Sequence, residues 1–393
     1  MKSLKRAIYL AAAILLIEAQ AGISNTLTVG LSGSYGYSNI QSAISAAANG
    51  DTVLVYQGTY TGEGNRDIDF SGKAITVRSV GGAKSTIIDC GGTSGNPHRG
   101  FKFHSGEQSG SQLSGFSIIN GYSPMDLIDA HLHSAGGAIY CYGASPTISD
   151  CIIEKNYANQ FGSGIACAQN SDPKISNCFI RNNSSNNRGG GIYCFYNCDP
   201  YISNCVISQN SAPLGGGGLY FESYSDPFVI QCTIGENSTG SGNGTAGLWC
   251  QLGSVILTDS ILWDNFNSAG KSQLSQINGW QATFNVNYDC IQGLSGSLGG
   301  IGNIGNNPLF APNSEFSLLP GSPCIDAGKD AGVYTDILGR PRPYDFPGVD
   351  NNGSLPEFDI GAYEIPEPAT LLLLGLGAVI LRRKRREGGG ERG

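Results

Sequence analysis

Short apolar runs alternate with polar, glycine-rich stretches through the middle of the chain, and their positions repeat. Each repeat holds a first apolar run, a second run that ends in a small residue, and an asparagine five residues after that small residue. The asparagines of successive repeats are 27 residues apart, except for the last step of 28. A fixed period of this length predicts one structural unit per repeat, stacked on its neighbours. The first runs start at Ala138, Gly164, Gly191, Gly218 and Gly247.

The runs are too short and too often interrupted by glycine, serine and asparagine to form amphipathic helices. A leucine-rich repeat is excluded because its leucine consensus is missing. The pattern therefore predicts an all-β fold, a parallel β-solenoid in which each coil lies about 4.8 Å from the next. Between residues 50 and 310 we expect roughly nine or ten coils and a rod of roughly 45 Å.

Stacking places residues of the same phase above one another. An asparagine tolerates left-handed backbone geometry, and its amide can donate to one coil and accept from the next. We therefore interpret the repeated asparagines as turn supports, namely Asn156, Asn183, Asn210, Asn237 and Asn265. A row of cysteines fits the position of a small buried apolar residue. Its members are Cys151, Cys178, Cys205 and Cys232, with Ser260 in the next coil.

A different pattern precedes the repeats. The stretch Tyr37–Ile44 predicts a short helix that ends near Asn49-Gly50, and Asp51–Tyr56 predicts a strand. We expect this N-terminal helix to cover the open first coil and to block edge-to-edge aggregation.

Composition supports a turn-rich β protein with an acidic surface. The chain of 393 residues contains 58 glycines, and only 14% of its residues are charged, against about 25% in ordinary soluble domains. The net charge is −8, and the basic residues are concentrated at the two ends, so the body is more acidic still. We therefore expect no nucleic-acid partner.

Of the twelve cysteines, we expect Cys290 and Cys324 to form a disulfide bridge.

The N-terminal end predicts export. Lys2, Lys5 and Arg6 precede an apolar run over 7–17, and Ala19-Gln20-Ala21 offers a signal-peptidase site. Residues 1–21 are therefore interpreted as a signal peptide.

The C-terminal end, 366–393, has three parts in order. Pro366-Glu367-Pro368 is followed by an apolar stretch, predicted as a short transmembrane helix, and by the basic cluster Arg382, Arg383, Lys384, Arg385 and Arg386. This order resembles the PEP-CTERM sorting signal of bacterial exported proteins. The resemblance implies processing by an exosortase, transient membrane anchoring, and a location at the cell surface or outside the cell.

The repeats resemble right-handed parallel β-helix proteins of the pectin-lyase-like superfold, over most of residues 35–310. We therefore assign residues 22–306 to a parallel β-helix domain. Segments within 307–365, such as Leu319–Gly328 and Asp359–Glu364, resemble a choice-of-anchor module. That resemblance implies a unit that closes the last coils and leads into the sorting segment.

Polysaccharide-cleaving relatives would need clustered carboxylates beside a base. Charged residues of the middle coils are possible members of such a set: Asp126, Asp129, Asp150, Glu154, Lys155, Lys174, Arg181 and Arg188. Ordinary solvated turns explain these charged residues better.

Two kinds of residue could bind a metal ion. His131 and His133 fit a plain loop better than a two-histidine metal site. Asp172, Asp199 and Asp226 form a row of turn initiators that could bind calcium; otherwise no cofactor is expected.

Aromatic residues suggest a ligand surface. Tyr140, Tyr193, Tyr220 and Trp249 share one phase and would stack on sugar rings if they faced outward, or belong to the core if they faced inward. Tyr142, Tyr196 and Tyr224 are further exposed candidates.

The sequence favours a non-catalytic, surface-displayed protein that binds or structures extracellular polysaccharide. A lyase or hydrolase of the same fold and a passive spacer remain as alternatives.

Overall fold

The protein is described from a computed structural model, which defines residues 24–124, 134–242, 244–296, 298–344 and 358–365. Its strands form three long parallel sheets that wind round a common interior, so that each coil contributes one strand to each sheet. The prediction of a parallel β-helix is confirmed. Sheet A has ten strands and sheet B has nine, in agreement with the predicted number of coils.

Sheet A contains, in spatial order, β1 (Thr26–Val29), β2 (Thr52–Val55), β5 (Thr76–Ser79), β8 (Gln112–Ser114), β11 (Thr147–Ser149), β15 (Lys174–Ser176), β19 (Tyr201–Ser203), β22 (Phe228–Ile230), β25 (Ser254–Thr258) and β28 (Thr283–Asn287). Sheet B contains β3 (Gly58–Thr61), β6 (Thr86–Asp89), β9 (Ser117–Ile119), β12 (Ile152–Glu154), β16 (Phe179–Arg181), β20 (Val206–Ser208), β23 (Thr233–Gly235), β26 (Ile261–Trp263) and β29 (Cys290–Ile291).

Sheet C contains β4 (Ile68–Asp69), β7 (Phe101–Phe103), β10 (Ile139–Tyr142), β14 (Ile165–Ala168), β18 (Ile192–Phe195), β21 (Leu219–Glu222), β24 (Leu248–Gln251) and β27 (Ile277–Trp280). A small fourth sheet joins β13 (Tyr157–Ala158) to β17 (Ser184–Ser185). The two helices are α1 (Ile40–Ala46) and α2 (Gln273–Gln276).

Equivalent side chains stack through the interior because the strands pair in register. Ile148 lies opposite Ile175, and Ile153 lies opposite Ile180. These columns continue through the middle coils and are fully buried. A bend after each strand of sheet A from β8 onward uses a residue with left-handed backbone, such as Asn177 with φ 54°. That bend turns the following residue, for example Cys178, into the interior.

Helix α1 covers the first coils on one side. Asn39 caps it, because its Oδ1 accepts from the Ser42 N–H at 2.8 Å. Ile40, Ala43 and Ile44 are buried against the core. The helix lies within the predicted region. It starts at Ile40 rather than Tyr37, and it ends at Ala46, before the predicted end near Asn49-Gly50. One strand was missed: β1 precedes the helix and pairs with β2, so the solenoid begins before residue 50.

Residues 307–344 and 358–365, called here the C-terminal strap, lie along the outer face of sheet B. Phe316, Ile337 and Tyr363 pack against Val206, and Leu318 and Ile360 belong to a second cluster with Ile261. The strap therefore covers the outer side of the later coils. The resemblance of this segment to a choice-of-anchor module remains an expectation.

Candidate functional site

The aromatic row on sheet C faces away from the solenoid interior but is covered. Tyr140, Tyr193, Tyr220 and Trp249 lie on the outer side of their strands, because the interior column is formed by their neighbours, such as Cys194. Tyr193 is 1% exposed and Tyr220 is 3% exposed. The row is therefore neither an open ligand surface nor part of the main core; it forms a second apolar layer.

Glycine-rich turns produce this cover. Gly162, Gly189 and Gly216 have positive φ and fold back over the ring row. A Cβ at Gly189 would lie 2.6 Å from the Cβ of Tyr193, so only glycine fits there. Phe161 from one of these turns stacks on Tyr193, with ring centroids 4.7 Å apart.

A charged network closes the same layer. Tyr193 Oη donates to Glu222 Oε2 at 3.0 Å, and Arg188 Nη1 lies 3.3 Å from Glu222 Oε1. The Arg188 guanidinium also lies over the Tyr220 ring at 5.3 Å. Burial, followed by the Glu222 charge, raises the pKa of Tyr220 to about 12. These groups satisfy one another, which indicates a structural role for Arg188.

The three other tyrosines chosen from the sequence are solvent-exposed. Tyr142, Tyr196 and Tyr224 are 36%, 50% and 64% exposed, and Trp280, which the sequence analysis missed, is 53% exposed. All four lie at or just beyond the ends of strands in sheet C. We call this set the aromatic strip. It extends over five coil steps, about 24 Å at the usual strand spacing.

Two members of the aromatic strip have strained backbone. Tyr196 has φ 66° and Tyr224 has φ 65°. A bulky side chain in the left-handed region costs about 1–2 kcal/mol relative to the ordinary helical region. At the position of Tyr224, the two preceding coils use the better-suited Asn170 and Asn197. Residues in such conformations often mark functional sites.

An acidic row lies along the same turns. The backbone N–H of Asp199 donates to Asp172 Oδ1 and that of Asp226 donates to Asp199 Oδ1, both at 2.7 Å. Burial, with the charges of the two neighbours, raises the pKa of Asp199. Within the described ranges, no three His, Cys, Asp or Glu side chains are placed to hold a metal ion.

The charged residues considered for catalysis lie on different sides of the solenoid. Lys174 begins a strand of sheet A, while Glu154 and Arg181 are register partners in sheet B, with Arg181 Nε 2.8 Å from Glu154 Oε2. Asp150 and Lys155 occupy left-handed turn positions. Asp126, Asp129, His131 and His133 lie outside the described residues.

Two grooves separate the strap from sheet B. One of about 660 Å³ has Ile152 and Phe179 in its lining, and one of about 610 Å³ is lined mainly by polar side chains such as Asn182 and Gln209. Both include Arg181 and Glu315, which form an ion pair between coil and strap.

Comparison with known proteins follows this geometry. The model of the right-handed β-helix region matches residues 29–234 and 114–307. The chain belongs to the right-handed β-helix family. No curated protein sequence matches it.

Among solved structures, the chain of this β-helix protein is similar to pectate lyase Pel9A, with 14% identity, a TM-score of 0.47, and coverage of 87% of this chain and 97% of that one. It is also similar to pectin methylesterase from carrot, with 14% identity, a TM-score of 0.39, and coverage of 74% and 91%. Pectin methylesterase PemA from Erwinia chrysanthemi gives 11% identity, a TM-score of 0.37, and coverage of 70% and 91%. These likenesses concern the fold alone.

The C-terminal end matches a second family model. The PEP-CTERM protein-sorting motif covers residues 364–386, which include Pro366, Glu367, Pro368 and the basic cluster. The motif implies exosortase-type processing and export to the cell envelope or surface. All but its first two residues, like the predicted signal peptide, lie outside the described ranges. Of the helices that the structure describes, neither is long and apolar enough to cross a bilayer.

Proposed function

We propose that this β-helix protein is displayed at the cell surface and binds a polysaccharide, without catalysis, through the aromatic strip. In this proposal a signal peptidase removes residues 1–21, residues 22–306 form the β-helix domain, and residues 307–365 form a closing module. Residues 366–393 form the sorting segment, which anchors the chain in the membrane before exosortase processing.

The observation that carries the proposal is the exposure of Tyr196 and Tyr224 on strained turns. Each ring is exposed over half or more of its surface, and the left-handed backbone costs stability, so the cost is explained best by a ligand. Sugar rings present flat C–H faces that pack on aromatic rings, while the tyrosine hydroxyl can bond to sugar hydroxyls.

A non-catalytic role is supported by the contacts of the acidic residues. Glu222 is engaged by Arg188 and Tyr193, and Glu154 is engaged by Arg181. Asp172 and Asp199 accept backbone N–H groups of the following coil. A general acid or base needs a proton exchange with substrate, and these carboxylates are committed to the fold.

The acidic row also selects among polysaccharides. Asp199 and Asp226 stand on the turns that carry Tyr196 and Tyr224, and Asp172 is their equivalent one coil earlier. Their charges repel a polyanion such as a polyuronate, and the repulsion weakens only when salt screens it. We therefore propose a neutral polysaccharide as the ligand.

The test compares the full chain with Tyr196→Asn and Tyr224→Asn. Asparagine suits the left-handed turn, so these variants remove the ring without adding strain. Tyr334→Asn, at a 60% exposed position on the strap, is the matched control. Binding is measured against panels of neutral and anionic polysaccharides by affinity electrophoresis.

We expect binding to neutral glycans, with affinity reduced about fivefold or more in each strip variant and unchanged in the control. Equal binding by all variants would refute the strip as the site, and blank panels would favour a passive spacer. Release of reducing or unsaturated ends during incubation would establish the alternative, a carbohydrate-active enzyme of this fold.

A further inference from the structure

Two cysteines meet at the junction of the last coil and the strap. Cys290 begins β29, and Cys324 lies on a turn of the strap. Both are fully buried in the same apolar cluster, together with Ile261 and Leu318. The Cys290 thiol donates to the Asn306 carbonyl at 3.3 Å, and Cys324 is its neighbour within the cluster. The bridge expected from the sequence is therefore found only as a contact, because all twelve cysteines are free thiols.

The other buried thiols are arranged differently. Cys151, Cys178, Cys205 and Cys232 stack in one phase of adjacent coils, where neighbouring backbones are about 4.8 Å apart and the Cα–Cβ bonds are parallel. A disulfide needs Cβ atoms about 3.5–4.5 Å apart and a dihedral angle near 90° about the S–S bond. Parallel, equally spaced side chains do not meet that requirement without a shift of the backbone.

Cys290 and Cys324 escape this constraint because they belong to different structural units. Cys290 continues the outward-facing column of sheet B, as register partner of Ile261, and the strap covers that column. Cys324 approaches from the strap side, and its backbone accepts a hydrogen bond from Ile360 at 2.9 Å. Side chains from segments that are not register partners are not held parallel to each other, so the geometry that keeps the ladder thiols from bridging does not apply to this pair.

We propose that Cys290 and Cys324 are a disulfide-forming site that fastens the strap to the last coil once the protein is exported. One thiolate attacks the disulfide of an oxidised thiol compound and releases one reduced thiol. The second cysteine, after losing its proton to solvent, attacks the mixed disulfide and releases the other. The two protein thiols are thereby oxidised, and one disulfide of the oxidant is reduced to two thiols.

Burial sets the time at which the bridge forms. Both side chains are inaccessible in the docked state, so an oxidant can reach them only before the strap packs onto sheet B or when the strap opens. The contact with Cys324 and burial raise the pKa of the Cys290 thiol, which keeps it unreactive once covered. Oxidation is therefore coupled to folding in an oxidising compartment.

The experiment uses the full chain, unfolded under reducing conditions and refolded in a buffer of reduced and oxidised glutathione. Remaining thiols are alkylated after unfolding, and peptides are mapped by mass spectrometry without reduction. We expect one linked pair, between the peptides that contain Cys290 and Cys324, and ten alkylated cysteines. The same oxidant added to the folded, reduced protein should produce the link much more slowly.

Cys290→Ser and Cys324→Ser should each abolish the link, whereas Cys205→Ser, a buried ladder cysteine, should leave it intact. Twelve alkylated cysteines after oxidative refolding would overturn the proposal, as would links among ladder cysteines. A second measurement is the rate at which a protease cuts the strap. Reduction of the bridged protein should raise that rate about tenfold or more, and should not change it in Cys324→Ser.

Discussion

Asn265 donates both its backbone N–H and its side-chain Nδ2 to a single acceptor, Gln276 Oε1, at 3.1 and 2.7 Å. The four asparagines below Asn265 make the same pair of bonds to the next asparagine, as Asn210 does to Asn237 at 3.0 Å. Gln276, the last residue of α2, therefore ends the asparagine ladder in place of another coil. Without it, the backbone N–H and one Nδ2 hydrogen of Asn265 would lose their acceptor, while Nδ2 would keep only its bond to the Ile234 carbonyl.

Replacement of Gln276 by leucine should destabilise the protein by about 2–4 kcal/mol, because two buried donors of Asn265 lose their acceptor. Urea unfolding followed by circular dichroism measures the change. Gln112→Leu, at an exposed strand position, is the matched control and should stay within about 0.5 kcal/mol. An equally small effect at Gln276 would show that the ladder needs no terminal acceptor.

A buried charge within the asparagine ladder should lower the free energy of unfolding. Asn210 Oδ1 accepts from Asn183, and its Nδ2 donates to Asn237 Oδ1 and to the Ile180 carbonyl. Asn210→Asp removes the donor and buries a carboxylate, whose pKa is therefore raised in the folded state.

The raised pKa of the introduced aspartate determines how the loss of stability depends on pH. The loss of stability is greatest at neutral pH and diminishes as the pH falls toward the ordinary range of an aspartate, because the neutral acid is the form that the fold tolerates. Denaturant unfolding at several pH values measures it. Asn182→Asp, at an exposed position beside Asn183 in the preceding coil, should show little loss at any pH. Parallel pH profiles for the two variants would contradict this interpretation.

The repeats predicted the solenoid because its local structure is periodic. The same 27-residue spacing that aligns Asn156 with Asn183 also aligns the strands of sheets A, B and C. Strand β1 could not be predicted from the period, because the helix α1 separates it from the first regular coil. Gln276 was missed for a similar reason: it joins the ladder from a helix, out of phase with the repeats.

The site was harder to predict because exposure depends on contacts between coils. Tyr193 and Tyr196 lie three residues apart, yet Tyr193 is 1% exposed and Tyr196 is 50% exposed. The sequence shows that Tyr193 alternates with interior residues, but the cover over it comes from glycine turns of neighbouring coils. The register of Glu154 with Arg181, in contrast, follows directly from the spacing of 27.

The strap depends on a glycine in sheet B. A Cβ at Gly235 would lie 2.5 Å from Phe316 Cε1, so the ring packs on bare backbone. Gly235→Ala should displace Phe316 and loosen the strap while the solenoid stays folded, at a cost of about 1–3 kcal/mol. In hydrogen-exchange measurements, residues 310–318 should lose protection, whereas the middle coils should keep theirs. Gly95→Ala, where a Cβ meets no atom within 4 Å, is the control; unchanged exchange in both would contradict the packing argument.

Strap docking should also weaken as the pH rises. Burial is the main cause that raises the pKa of Glu364 and of Asp259 to about 7, with Asp359 and Asp330 adding to the shifts and Arg342 opposing both. Lys329 also opposes the shift at Asp259. Both acids have ordinary values near 4 when the strap and coil are exposed, namely 4.5 and 3.8.

Because the folded pKa values are raised, the docked strap is favoured by the neutral acids. Their contribution is complete below about pH 4 and is lost progressively as the pH rises to about 7. Protease cleavage of the strap, measured across this range, should therefore become faster with increasing pH.

Two variants test the assignment of this pH dependence to the buried acids. Glu364→Gln keeps the side chain neutral, so its cleavage rate should vary less with pH than that of the parent chain. Asp330→Asn, at an exposed position of the strap, should retain most of the dependence. A parent rate that falls as the pH rises would show that Arg342 already compensates the buried charges.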